Sequence, residues 1–261
     1  MITTRSLFYY GHTITESNNL LDFKEGAGSE LTATLNVGEY SLTDFLTEVA
    51  RAMNDAGALT YSLSVNRSTR IITVSTTSAF TLLAGTGTHV GNSAYSLLGF
   101  SSDTSSATSH IATIASGSEW RPQWVMQDYV SFDDNVSSID GIKRESTSGQ
   151  VEVISFGKRY IMEGNFKLIT DNFQAPISST DSTSLENDSS GVANARAFLT
   201  YAISKAPLEF MPNRSAPSTF EECILESTPE SQDGLAFKIK EMYSIKLPSY
   251  YETGLLKFRR V

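Results

Sequence analysis

The stretch "SLTDFLTEVARAMNDAG", residues 41–57, commits the chain to one element and to something that must cover it. Leu42, Phe45, Leu46, Val49, Ala50 and Met53 recur at helical spacing, so a helix here carries a single apolar stripe. Ser41 stands just before it with Asp44 three residues on, a variant of the capping box that satisfies free amides of the first turn, and Gly57 supplies the stop. The cover is legible on both sides. "ELTATL" alternates polar and apolar as a half-buried strand does. "TYSLSV", the turn "NRST" and "RIITVS" predict a hairpin, and "AFTLL" predicts another short strand. The order β-α-β-β-β predicts a small α/β module over residues 29–100, with its helix on one sheet face.

Two serine- and threonine-rich tracts, residues 101–118 and 178–190, bury little apolar surface and are expected as a linker and a long loop. Past Trp120 the chain reads mostly as strands: "GQVEVISFG", "RYIMEGNFKLIT", "LEFMP", "FEECILES", "LAFKIKEMYSIKLP" and "TGLLKFRRV". One helix interrupts them, "GVANARAFLTYAISKA", with Val192, Ala195, Phe198, Leu199, Ala202 and Ile203 on one stripe. Short strands plus one helix predict an antiparallel β-sandwich or barrel over residues 119–261. Residues 1–28 are expected as an arm or strand that joins this core, which makes the module an insertion. The fold class expected is therefore α+β, mainly β.

The charge balance narrows the function classes. A net charge of −9 argues against nonspecific nucleic-acid binding, which needs clustered Lys and Arg. The single cysteine, Cys223, excludes an intrachain disulfide and a Cys-based zinc cluster, and its strand-like surroundings predict a buried thiol. The N-terminus carries no signal-peptide pattern, and no apolar run reaches the roughly 18 residues of a membrane span. The expectation is a soluble protein made in a cytoplasm.

Motifs for chemistry are sparse. "GTGTHVG", residues 85–91, lacks the Gly-Lys-Ser/Thr ending of a P-loop and the spacing of a dinucleotide loop, so a surface turn is expected. His12, His89 and His110 have no second histidine three or four residues away. Glu16, Asp22 and Glu25 cluster in sequence, and Asp133 adjoins Asp134, yet an acid/base pair needs a shared cleft that proximity alone does not supply. Asp181, Glu186 and Asp188 lack EF-hand spacing, and no G-x-S-x-G elbow occurs. No catalytic group, cofactor or metal is expected, and the chain is not read as an enzyme. Tyr9, Tyr10, Trp120 and Trp124 sit near the module boundaries. They are expected either to cover the core edge where two modules meet or to form a subunit interface.

"LTATLNVGEYSLTDFLTEVARAMNDAG", "YSLSVNRSTRIITVS", "FTLLAGTG" and "SLLGF", taken in order, resemble a module of tailed-bacteriophage virion proteins. The matching positions are Gly38, Tyr40, Ala56, Gly57, Leu98, Gly99 and Phe100. "YIMEGNFKLIT", "ARAFLTYAISKAPLEFMP" and "KLPSYYETGLLKFRRV" look like distal-tail and tail-hub proteins. The resemblance implies a β-sandwich subunit of a distal-tail or baseplate ring in the virion. Its implied partners are itself and other tail proteins: tail tube, hub, fibre or receptor-binding proteins. A neck, tail-completion or minor capsid protein is the alternative, and a carbohydrate-binding module of the adhesion apparatus is a further one. Exposed tryptophans would favour the sugar-binding reading.

Overall fold

The computed structural model describes residues 7–120, 136–145, 151–165, 169–170, 192–212, 216, 218–226, 240–241, 250–252 and 255–261. The first nine strands are β1 (Leu7–Tyr10), β2 (His12–Ile14), β3 (Leu20–Glu25), β4 (Glu30–Thr34), β5 (Gly38–Tyr40), β6 (Ser62–Asn66), β7 (Ile71–Leu82), β8 (Ala107–Ile111) and β9 (Ser118–Trp120), with helices α1 (Leu42–Ala56) and α2 (Tyr95–Leu98) among them. Then come β10 (Val136–Glu145), β11 (Val151–Asn165), β12 (Ile169–Thr170), α3 (Val192–Ile203), β13 (Leu208–Met211), β14 (Glu221–Leu225), β15 (Lys240–Glu241), β16 (Tyr250–Glu252) and β17 (Leu255–Arg260). The architecture is α+β and mainly antiparallel β, as the sequence predicts, with no closed barrel among the described residues.

The chain folds into two compact units whose boundaries differ from the expected ones. One comprises residues 8–119 and 206–220. Its principal sheet is built on β7, which pairs antiparallel with β6, β3 and β8, while β4 pairs with β3. Residues 20–25 therefore are not an arm to the C-terminal core. They are β3, the strand that ties β4 to β7, and a fragment 29–100 lacks it. The tract 101–118 is not a linker either: β8 lies within it, paired to β7 through Thr73, Val74 and Ser75. "RIITVS" and "AFTLL" are two parts of one strand, β7, with a register irregularity between Ser75 and Phe80.

Helix α1 forms as its caps dictate. Ser41 Oγ accepts the Asp44 amide at 3.0 Å, and Leu42, Phe45, Leu46, Val49 and Met53 are buried as the stripe predicts. Gly57 ends the helix for a different reason from the expected one. Its φ is −104°, ordinary extended backbone, but a Cβ there would collide with the Glu25 carboxylate. Glycine makes room for Glu25, which accepts the amides of Ala58 at 2.9 Å and Leu59 at 2.9 Å and the Tyr61 hydroxyl at 3.0 Å. In "SLLGF", Gly99 has φ +85° after the short helix α2, a left-handed turn that favours glycine.

The other unit comprises residues 1–7, 120–205 and 221–261. Here β10 and β11 form a long antiparallel hairpin, β11 pairs with β17, and β17 with β14. The two predicted strands "GQVEVISFG" and "RYIMEGNFKLIT" are largely the single strand β11. Of the α3 stripe, Phe198, Leu199 and Ala202 are buried, whereas Ile203 is exposed; the side chains of Val192 and Ala195 lie outside the described set. Cys223 is a buried thiol on β14.

Candidate interaction surface and its carboxylate clamps

Three carboxylates hold "GTGTHVG" in place. Asp103 accepts the Gly85 and Thr86 amides at 2.7 and 3.0 Å together with the Thr86 hydroxyl. Glu30 accepts the Thr88 amide at 2.8 Å, and Asp22 accepts the His89 amide at 2.5 Å. The Gly87 amide donates within the loop, to Leu83 O at 3.1 Å. A phosphate loop works by aiming free amides at an anion. Here the Gly85, Thr86, Gly87, Thr88 and His89 amides are already spent, four of them on carboxylates. The segment is a pinned turn.

Asp22 sits between Leu21 and Phe23 on β3 and is buried, which is costly for a carboxylate without donors. Three groups meet that need. Besides the His89 amide, Asp22 Oδ1 accepts the Thr32 hydroxyl at 2.7 Å and lies 3.0 Å from His89 Nδ1, while its backbone oxygen accepts the Tyr95 hydroxyl at 2.6 Å. Burial alone raises the Asp22 pKa, but the bonds from His89 and Thr32 outweigh it and leave the carboxyl below its ordinary range. Asp22, Glu30 and His89 bring three potential metal-ligand atoms within 4.8 Å of one another. Sequence reading put Asp22 with Glu16 and Glu25 instead. The signal for its real role was a lone Asp inside an apolar strand, which needs donors from outside that strand.

A second carboxylate is buried more deeply. Glu209 on β13 is fully buried, and its Oε1 accepts the Thr43 amide at 2.9 Å and hydroxyl at 2.8 Å. Its other oxygen is ion-paired with the Arg67 guanidinium. Arg67 also donates to Thr43 Oγ1 at 2.9 Å and lies 3.4 Å from the Phe220 ring centroid. Its carbonyl accepts the Tyr9 hydroxyl. The negative group thus meets the first turn of α1, where free amides and the helix dipole favour it.

Over β6, the first part of β7 and β8, the sheet face opposite α1 carries no charged side chain. On the helix side, Ile72, Val74 and His110 are buried; the alternate positions Ser62, Ser64, Ile71, Thr73, Ser75, Ser109 and Ile111 point the other way and are exposed or half-buried. Register places Ser62 beside Ser75 and Ser75 beside Ser109, then Ser64 beside Thr73 and Thr73 beside Ile111.

The aromatic residues singled out as a subunit interface stand elsewhere. Tyr9 and Tyr10 are buried on β1, and Trp120 is 1% exposed, stacked on Phe198 with ring centroids 4.5 Å apart. A ring already enclosed by its own chain has almost no area left to bury against a neighbour, so these three belong to the core. Trp120 offers no platform to a sugar for the same reason. Trp124 lies outside the described residues, as do Asp133, Asp134, Asp181, Glu186 and Asp188. His12, His89 and His110 are dispersed over β2, the pinned turn and β8. No helix among the described residues is long and apolar enough to cross a membrane. Compared with known proteins, the chain matches no protein-family model and no curated protein sequence.

Proposed function

We propose that the chain is a structural subunit of a tailed-phage virion, placed in the distal tail or baseplate and working by assembly with itself and with other tail proteins. The observation that carries this reading is the ordered set of residues that resembles the virion module, together with the positions those residues take. Gly38 and Tyr40 bound β5, Gly57 admits Glu25 at the end of α1, and Gly99 makes the left-handed turn after α2. They are the joints of one unit, as a shared module requires. The buried and half-buried carboxylates support the same reading. Asp22, Glu25, Glu48 and Glu209 are each occupied in holding backbone or an arginine.

Immunogold labelling of purified particles with antibody to this chain tests the proposal. Label at the tail tip is the expected result. Label at the neck or capsid would move the chain to the connector or minor-capsid alternatives, and absence of the protein from purified particles would overturn the virion reading.

A further inference from the structure

We infer that the free edge of β8 pairs with β8 of a second copy, antiparallel and across a two-fold axis centred on Ser109. The Ala112 amide donates to Ile72 O at 2.8 Å, so strand alternation turns the N–H and C=O of Ser109 and Ile111 away from β7. Those groups have no hydrogen-bond partner among the described residues. Exposed strand edges are ordinarily guarded by charged side chains, Pro or a bulge within the edge strand. This one has none: residues 104–118 contain no Asp, Glu, Lys, Arg or Pro, and their one histidine, His110, is buried. Two of the large apolar side chains that the unit leaves in water flank the edge, Ile111 at 66% and Ile114 at 54% exposure.

An unpaired row of amides and carbonyls accepts an extended segment, and a second copy fits it. Two chains of net charge −9 repel at most approaches, whereas this stretch brings no like charges together. Pairing centred on Ser109 also sets Ala107 against Ile111 of the other copy, a small residue beside a large one, at both ends of the strand. Five paired residues and two isoleucines per copy bury well under the roughly 1,200 Å² of a standard interface, so the contact is weak and reversible. A two-fold contact closes on itself and cannot build a ring, so it stands apart from any ring interface and holds whether or not the chain is a tail protein.

The intact chain with Ser109→Cys tests this, because the native thiol of Cys223 is buried. A short bis-maleimide should join Ser109→Cys chains into dimers and leave the wild type uncrosslinked. Ser62→Cys, exposed on β6, should crosslink far less. In sedimentation, Ile111→Lys should weaken self-association at least about tenfold by placing a charge on the edge, with an unchanged melting temperature. A chain that stays monomeric at its highest soluble concentration would overturn the inference. So would crosslinking through Ser62→Cys as efficient as through Ser109→Cys, or dimerisation indifferent to Ile111→Lys.

Discussion

Glu209 and Thr43, 166 residues apart in the chain, are bonded twice, through the Thr43 amide at 2.9 Å and its hydroxyl at 2.8 Å. With Arg67 on the other oxygen, Glu209 is the only described carboxylate that is fully buried and ion-paired. Removing one partner of such a pair costs more than the pair itself contributes, because the remaining charge is left in a poor solvent. Glu209→Ala should therefore destabilise the protein by about 3 to 5 kcal/mol, measured by chemical denaturation. Replacing Glu209 and Arg67 together by apolar residues should cost less than Glu209→Ala alone.

The α1 cap and stripe give a graded pair. Ser41→Ala removes the acceptor of the Asp44 amide and should cost about 0.5 to 2 kcal/mol. Phe45 is fully buried and stacks on His12, centroids 5.1 Å apart, so Phe45→Ala should cost about 3 to 5 kcal/mol. Denaturant midpoints for the two variants check the order.

Acid should weaken the fold in two stages. The Ser116 hydroxyl donates to Leu97 O at 2.6 Å, so it accepts from His12 Nε2 at 3.0 Å, and His12 Nδ1 is left buried without a donor among the described residues. Burial, with a smaller contribution from the Arg70 charge, pushes the His12 pKa down to about 4 from 6.5. Protons then bind the unfolded chain first, so stability should fall as pH drops from about 6.5 to about 4, by about 3 kcal/mol in all. Asp22, Glu25, Glu48 and Asp103 titrate below their ordinary values, so their contribution is lost at still lower pH. Thermal melts across this range should show the first stage flattened in His12→Gln.

Gly99→Ala should be strongly destabilising. The residue has φ +85°, and an added Cβ would run into the Ile114 carbonyl. Gly91→Ala, which meets nothing within 4 Å, is the control that should leave the melting temperature close to wild type.

Trp120→Ala should lower folding stability by about 3 to 5 kcal/mol, since the ring is enclosed against Phe198. Light scattering and thermal unfolding on the same variant should show assembly failing only as the fold fails. Assembly lost at full stability would return Trp120 to an interface.

The legible parts of the fold were those whose causes are local. The α1 cap, its stripe and the β6–β7 hairpin each arise within a few residues, and the helical and alternating periods expose them. Strand β8 was not legible, because serine and threonine suit a pleated surface as well as a loop, and only pairing to β7 decides between them. The same holds for "TTS" between the halves of β7. The clamps were out of reach altogether: nothing near "LEFMP" indicates that its glutamate answers an arginine in a turn far upstream. Trp120 misled for a related reason, since polar neighbours in sequence say little about which rings stack on it in space.

The membership of residues 206–220 in the first unit also sets an order of events during synthesis. As the chain leaves the ribosome, α1 and strands β1–β9 are present well before Glu209 has been translated. Until it arrives, Arg67 and the first turn of α1 have no carboxylate to close on. The nascent unit waits, incomplete, through the making of the residues in between. A chain ended before residue 206 would thus lack Glu209, the carboxylate that Arg67 and the first turn of α1 share.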